Sequence, residues 1–392
     1  MLVRSLHLQG LLSFGPDAPP IALQPLNVLI GPNASGKSNL IEAIALLRSL
    51  PRDLTAPIRE SGGVGEWLFK GPPKARSATV AAIIDNPRGR MPLRYVLECT
   101  SDAQRPLVLK ERIENEQAYA GKEKPYFYYL HELDNVLLNV RMEGEETRER
   151  RLKREEIAPD QSILAQRKDP DQYPEITYLG ETLATIRVYR NWSFGRYTPP
   201  RLPQPADSRN DFLEEGCQNL GLVLNRLRRD ASTKQKILKE IQKLYDGIED
   251  FDVIIEGGTV QVFMQEDGIT VPATRLSDGT LRYLSLLAIL CHPSPPPLVC
   301  IEEPELGLHP EALPNLAALL QEASERCQLI VTTHSDVLVD AFTDSPEAVL
   351  VCEKDHGSTR MRRLEKEPLR EWLERYGLGE LWLKGELGGG RW

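Results

Sequence analysis

The stretch that decides the fold runs from Leu26 to Leu47, LNVLIGPNASGKSNLIEAIALL. It opens on a short apolar run of strand length, and it closes on apolar residues at Leu40, Ile41, Ile44 and Leu47, the spacing of a buried helical face. Between them, Gly31, Gly36, Lys37 and Ser38 fill every fixed position of G-x-x-x-x-G-K-[ST]. Strand, glycine-rich loop and helix in this order make a phosphate cradle, because backbone N–H groups of the loop and of the helix start face the anion. The expected nucleotide-binding run is Gly31, Pro32, Asn33, Ala34, Ser35, Gly36, Lys37, Ser38 and Asn39. Lys37 neutralises the β- and γ-phosphate oxygens, and the Ser38 hydroxyl ligates Mg²⁺. ATP and Mg²⁺ are the cofactors this implies, and α/β is the fold class.

Two later strands carry acids and a histidine. Leu298 to Ile301 is an apolar run ending in Glu302 and Glu303, within PPPLVCIEEPELGLHP. In a P-loop protein such a strand end brings one carboxylate to the metal, here Glu302, and a second to the attacking water, here Glu303. Alone, an acid pair of this kind is as readily a solvated strand end. Gln328 to Val331 is the other strand, with His334 just past its C-terminal end, the edge where open α/β sheets bind ligands. An imidazole there can hydrogen-bond the γ-phosphate and sense its loss. A lone histidine at a strand end is more often structural.

A second anion-ready helix start lies between these elements. In TRLSDGTLRYLSLLAIL (residues 274–290), Ser277, Asp278 and Gly279 form a turn ahead of a run with apolar Leu284, Leu287, Ala288 and Leu290. On its own, Ser277 reads as an ordinary N-cap and Asp-Gly as a turn. A chain that already cradles its own nucleotide has no use for a second site of this kind within one subunit. The arrangement makes sense if Ser277 and the Gly279 backbone meet the γ-phosphate of ATP held by another copy, across a two-fold interface.

The bulk numbers set the remaining bounds. A chain of 392 residues with 41% hydrophobic and 27% charged residues suits a globular protein of two lobes. No apolar run reaches membrane-spanning length, and the N-terminus MLVRSLHLQG lacks a signal-peptide pattern. Six scattered cysteines without a CxxC pair indicate reduced thiols and a cytoplasmic location. A net charge of −9 argues against nucleic-acid binding by the whole surface and leaves room for a local basic patch. Arg148 to Arg154 and Arg226 to Arg229 are candidates, although acids interleave the first and a solvated face explains both.

The chain divides into a nucleotide-binding core (1–75, completed by 291–365), an antiparallel β subdomain (76–160), a helical lobe with the Ser277 turn (161–290) and a helical tail (366–392). The β subdomain rests on strand-like ATVAAIID, LRYVLECT, LVLKERIE and YFYYLHELDNVLLNV. The connector YTPPRLPQP (residues 197–205) resists helix and strand alike, and Asp211 to Tyr245 has helical periodicity.

Taken in order, GPNASGKSN, LSDGTLRYLSLLAIL, IEEPELGLHP and IVTTHSDVLVD resemble the ABC-type ATPase heads. Among these the chain looks most like the RecF/SMC-related predicted ATPases, a group related to the ATPase part of the overcoming-lysogenisation-defect (OLD) proteins. The ending LGELWLKGELGGGRW also resembles that group. The resemblance implies a two-lobed head that closes head to tail on two ATP molecules, as a homodimer or higher oligomer. It makes Glu302 the metal-side acid, Glu303 the catalytic glutamate, Ser277 and Gly279 the signature motif, and His334 the switch histidine. Asp278 replaces the first of the two usual signature glycines, and a carboxylate beside a γ-phosphate must turn away, here toward Arg275 or Arg282. The Gln loop of these heads has Gln166 as its candidate counterpart, with a surface glutamine as the alternative. His309 falls where these heads have an interface loop.

Two absences bear on function. No heptad stretch is long enough for an SMC-type coiled coil. Only about sixty residues follow His334, too few for the toprim nuclease that OLD proteins carry there. By resemblance the expected role is an ATPase that gates a separately encoded toprim-like nuclease at duplex DNA in anti-phage defence, without a membrane partner. A RecF-like DNA repair clamp and an ATP-dependent assembly scaffold are the alternatives.

Overall fold

The computed structural model describes the chain apart from residues 104, 133–134, 143–146, 191, 390–392 and the side chain of Arg154. Part of the acidic-basic run 143–156 and the end of the GGGRW tail therefore lie outside the described residues.

At the centre is a six-stranded sheet in the order Arg187–Tyr189, Leu298–Glu302, Gln328–Thr332, Leu26–Ile30, Val349–Asp355 and Ser358–Arg363. The first five strands are parallel, and the last turns back as a hairpin. Leu26–Ile30 and Gln328–Thr332 are buried at every residue, as central parallel strands covered on both faces must be. Their two amides are satisfied within the core. Asn27 donates to the carbonyl of Leu329 at 3.0 Å, and the Gln328 oxygen accepts from the N–H groups of Leu2 and Val3 at 3.1 and 2.8 Å. Gln328 thereby ties the N-terminal strand to the central sheet.

The period of two sends neighbouring residues of Leu26–Ile30 into different cores. Val28 and Ile30 join the apolar cluster built with the helices Asp278–Leu290 and Leu313–Ser324. Leu29 joins the opposite cluster with the helix Lys37–Ser49. That helix buries Leu40, Ile41, Ala43, Ile44, Ala45, Leu46 and Leu47, so it is apolar nearly all round, as befits an element between two sheets.

The second sheet is antiparallel and eight-stranded, in the order Ile21–Ala22, Val3–Gln9, Ser77–Ile84, Leu93–Asp102, Arg105–Asn115, Phe127–Glu132, Asn135–Arg141 and Thr147–Arg151. Ser77–Ile84 alternates buried and half-buried residues, the signature of a strand with one face on the core. Val3–Gln9 pairs directly with it. A division between 75 and 76 therefore cuts through this sheet, because strand pairing is non-local and the N-terminal strand belongs to both units.

Residues 161–290 are helical only in part, and the short strand-like runs DVIIEG (252–257) and TVQVFM (259–264) fall on paired strands. Arg187–Tyr189 belongs to the central sheet, and Ile248–Glu256, Thr259–Glu266 and Ile269–Pro272 form an antiparallel sheet of their own. The helices Leu220–Leu227 and Asp278–Leu290 pack with this sheet in one apolar cluster. Even the proline-rich connector contributes to it, since Gln204–Pro205 pairs with Val260 and Thr259. Proline is tolerated there because this is an edge strand. All six cysteines are free thiols. Among the described residues no helix is long and apolar enough to cross a membrane.

Candidate active site

Parallel strands aim their C-terminal ends at one edge of the central sheet, so the residues after Ile30, Tyr189, Glu302 and Thr332 share that edge. The loop after Ile30 has Gly31 at φ +147°, Ala34 at +62° and Gly36 at +105°. Positive φ interspersed with ordinary residues turns successive N–H groups to one side, which is how an anion nest forms. Glycine is required at two of these points. A Cβ on Gly31 would lie 2.2 Å from the Cys352 carbonyl oxygen, and one on Gly36 would lie 2.1 Å from Thr359 Oγ1. Thr359 Oγ1 itself hydrogen-bonds the Ser35 carbonyl at 2.8 Å and Ser13 Oγ at 2.7 Å, and Asn39 donates to Ser13 Oγ at 2.7 Å. The hairpin of the last two strands thus braces the loop from behind.

Lys37 is buried and folds back, donating to the carbonyls of Gly31 at 2.8 Å and Pro32 at 3.0 Å. Burial pulls its pKa below the ordinary lysine value, opposed by Cys352, Glu303, Glu302 and Glu305. Ser35 Oγ is buried without a hydrogen-bond partner. An under-neutralised buried ammonium, an orphaned hydroxyl and a cradle that a Cβ would fill fit a polyphosphate with its cation. Ser38 hydrogen-bonds the Glu302 carboxyl, whose pKa burial raises, with Ser38 and Arg190 pulling the other way. Among the described residues no three His, Cys, Asp or Glu side chains converge as a metal cluster. A cation here would rest on Ser38, Glu302 and the phosphates themselves.

Glu303 takes a left-handed backbone conformation, φ +45°. Its N–H donates to the Thr332 carbonyl at 3.0 Å, and its carboxylate lies 3.7 Å from His334 Nε2. The histidine is placed by a third acid. Glu305 accepts from Thr333 Oγ1 at 2.7 Å and from the His334 N–H at 2.8 Å. Burial raises the pKa of Glu305, and its other oxygen is buried without a partner.

Ser277 caps the Asp278–Leu290 helix by accepting from the Thr280 N–H at 3.0 Å. Ser277 and Asp278 are exposed, whereas Thr280–Leu290 is buried at every residue. Gly279 fits closely beneath: a Cβ there would meet the Gly307 carbonyl oxygen at 2.8 Å. Asp278 does turn aside, but to Arg201 rather than to Arg275 or Arg282. Arg201, buried in the connector, also donates to the Leu276 carbonyl. Arg282 is instead drawn inward, donating to the Glu303 carbonyl at 2.6 Å.

Gln166 is not brought to this edge. Its amide is engaged with Gln161 O at 3.0 Å and Ala158 N at 2.8 Å. Gln161 in turn bonds Asp53, just past the far end of the Lys37–Ser49 helix. That helix is about 20 Å long, so the P-loop lies at its opposite end. The segment that does reach the edge follows Arg187–Tyr189. Arg190 pairs with Glu42 on the loop helix, and Trp192 Nε1 donates to the Glu302 carbonyl at 3.0 Å. Asn191, between them, is outside the described residues. His309 stands exposed and accepts from the Glu311 N–H at 3.4 Å, capping a short turn.

Sequence reasoning thus missed Arg190, Trp192 and Glu305, and the inward partner of Arg282. A signal existed for two of them: Glu305 is the third acid of IEEPE, and Arg282 interrupts an otherwise apolar helical stripe.

The family model described as "AAA domain, putative AbiEii toxin, Type IV TA system" matches residues 26–340. No functionally curated protein matches the chain. Among solved structures it is similar to the SmcHead bound to the C-winged helix domain of ScpA, with TM-score 0.60, 16% identity, 94% of this chain and 99% of that one covered. It is similar also to the Smc head with an extended coiled coil bound to the C-terminal domain of ScpA from Pyrococcus furiosus, with TM-score 0.59, 15% identity, 95% and 99% covered. A third is the Smc head with a coiled coil and joint from Pyrococcus yayanosii, with TM-score 0.54, 13% identity, 95% and 99% covered. At such identities the likeness is one of fold, and it places the chain among ABC-type P-loop architectures. The matched span starts at the strand that carries the phosphate loop and ends beyond the histidine; the chain belongs to this AAA-domain family and is an ATP-hydrolysing enzyme.

Proposed function

We propose that two copies of the chain close head to tail on two ATP molecules and that hydrolysis reopens them. Lys37 exchanges its two loop carbonyls for β- and γ-phosphate oxygens, and Ser38 with Glu302 holds Mg²⁺, which supplies charge neutralisation along the phosphates. Glu303 orients the attacking water and accepts its proton, while His334, held by Glu305, hydrogen-bonds the γ-phosphate. Ser277 and the Gly279 N–H, with the helix dipole, meet the γ-phosphate on the partner copy.

One observation carries this reading: the second helix start is exposed only at Ser277 and Asp278, on a helix buried from Thr280 to Leu290. The Arg201 pairing removes the repulsion that Asp278 would otherwise impose on a phosphate.

Closure on ATP, in this reading, licenses a second protein that acts on duplex DNA, a separately encoded toprim-like nuclease in anti-phage defence. The matched family's description names a putative toxin of a toxin–antitoxin system, and two of the similar Smc heads are bound to a ScpA domain. Both support a chain that works with a second protein. A RecF-like clamp on DNA is the second reading, favoured by the exposed arginines Arg148, Arg150 and Arg151 on the outermost strand.

The test uses Glu303→Gln protein expressed in its own host and recovered with Mg-ATP. A native mass of two copies with a nuclease-like companion is expected. Two copies alone, closing only on duplex DNA with steep salt dependence, would establish the clamp instead. A monomer saturated with ATP would overturn closure altogether.

A further inference from the structure

Arg282 is an unusual residue for its place. It sits on the Asp278–Leu290 helix between the fully buried Leu281 and Tyr283, and is itself buried. A buried guanidinium needs partners on several sides; here two separate segments supply them, and Nε is left without a hydrogen-bond partner. Its carbon centre lies 4.9 Å from the ring centroid of Trp192 and 5.9 Å from that of Phe194, so aromatic faces hold it from one side. One terminal nitrogen donates to the Glu303 carbonyl at 2.6 Å. Glu305, with one carboxylate oxygen lacking a partner, supports the positive charge, and burial sets the guanidinium pKa at about 10 against that support.

The receiving carbonyl belongs to the residue whose backbone is held at φ +45°. A non-glycine residue there persists only where its surroundings over-determine it. Around Glu303 the N–H is fixed by Thr332 and the carbonyl by Arg282, so the peptide units on both sides are pinned. Trp192 contributes twice, under the guanidinium and through its N–H on the Glu302 carbonyl. Arg282 also lies five residues beyond Ser277 on one rigid helix, a rise of about 7.5 Å.

We propose that Arg282 is a positioning residue for hydrolysis: clamped on Trp192 and Phe194, it holds the Glu303 backbone in its left-handed conformation and makes the carboxylate's position depend on how the Ser277-bearing helix is seated. The inference rests on the reading of Glu303 as the base. The coupling runs through the backbone of Glu303 and leaves the phosphate loop alone, so it predicts a loss in kcat at unchanged nucleotide affinity.

The test compares Arg282→Met, which keeps the stem volume, and Arg282→Lys, which keeps the charge and one donor, with Glu303→Gln and the double variant Arg282→Met/Glu303→Gln. A misplacement of the base by about 1 Å costs on the order of 100-fold in kcat. Arg282→Met should show a loss of that size with ATP affinity within about twofold of the parent, and Arg282→Lys should recover part of it. The double variant should be no slower than Glu303→Gln alone, since an absent base cannot be misplaced. Parental kcat in Arg282→Met, or equal losses in kcat and ATP affinity, would overturn the inference. If Arg282→Met does not fold, Arg282→Lys decides: a parental kcat overturns the inference, and a lowered kcat at parental affinity supports it. Full turnover in Glu303→Gln would instead remove the base assignment, a distinct failure.

Discussion

Replacing Gly36 with alanine should damage the loop by an amount that can be worked out. At φ +105° the backbone lies in a region where an L-residue is strained by about 1–2 kcal/mol. The added Cβ would lie 2.1 Å from Thr359 Oγ1 and 2.8 Å from both Thr359 Cγ2 and Ser13 Oγ. Relieving such a collision in a packed site costs about 1–3 kcal/mol. Moving the threonine also weakens its hydrogen bonds to the Ser35 carbonyl and Ser13 Oγ, at about 1 kcal/mol each. These terms overlap, and a destabilisation of about 3–5 kcal/mol is expected, or a fall in Tm of about 4–6 °C for a chain of 392 residues. Thermal melts with and without Mg-ATP are the assay, and Gly36→Ala should lose most of the ATP-dependent rise in Tm. Thr359→Ala removes two of the three colliding atoms. The double variant should therefore regain the collision part of the loss but not the strain part. If Gly36→Ala melts within about 1 kcal/mol of the parent, or if Thr359→Ala brings no relief, the hairpin does not brace the loop.

Lys37→Ala should abolish ATP binding by titration, because the only ammonium among the loop residues 31–39 is removed; retained affinity would sink the phosphate-loop reading. Ser277→Arg should leave ATP binding by the single chain intact while blocking closure and turnover, and activity regained on mixing with Lys37→Ala would show that the site is shared in trans. The buried acid Glu111 offers a pH test. Burial raises its pKa, with Ser162, the Ile163 N–H and Tyr95 as opposing donors. A carboxyl whose folded pKa is raised contributes stability that is fully present below its unfolded pKa and lost as pH rises through the folded value. Glu111→Gln cannot ionise, so its Tm relative to the parent should climb as pH rises above the ordinary carboxylate range; a constant difference would show that burial does not raise the pKa of Glu111.

Much of the architecture was legible because it is written locally. The Leu26–Ile30 strand, the loop and the Lys37–Ser49 helix are contiguous, and the alternation of Ser77–Ile84 identifies a strand without its partner. What local pattern cannot supply is the partner. Val3–Gln9 joins Ser77–Ile84 across seventy residues, which is why a boundary at 75 looked natural and is not one. In the lobe after Ala184, the periodicity of Asp211–Tyr245 announces helices, while the pairing of Ile248–Glu256 with Thr259–Glu266 that completes their core is not visible in either segment alone. Leu220–Leu227 is buried at all but one of its positions, so it lacks the polar stripe that would betray which side faces the sheet.

The site divides along the same line, and Asp278 shows why. Sequence proximity offered it Arg275 and Arg282, both within one helical turn. Arg275 precedes the helix in a short 3-10 turn and is exposed. Arg282 is spaced to share a face with Asp278, yet the helix is buried there and the guanidinium is committed to Glu303, Trp192 and Phe194. A carboxylate at the mouth of the proposed phosphate site needs a cation that is free to turn outward, and neither neighbour can be it. The proline-rich connector supplies one: its turns, closed by the Arg201 N–H on the Thr198 carbonyl and the Leu202 N–H on the Pro199 carbonyl, carry Arg201 beneath the helix start, where it reaches both the Leu276 carbonyl and Asp278. The departure from the family pattern at 278, the cation at 201 and the inward arginine at 282 are therefore one packing solution. A substitution that frees Arg282 for Asp278 would unpin Glu303, so the two arginines cannot exchange tasks without loss of the site.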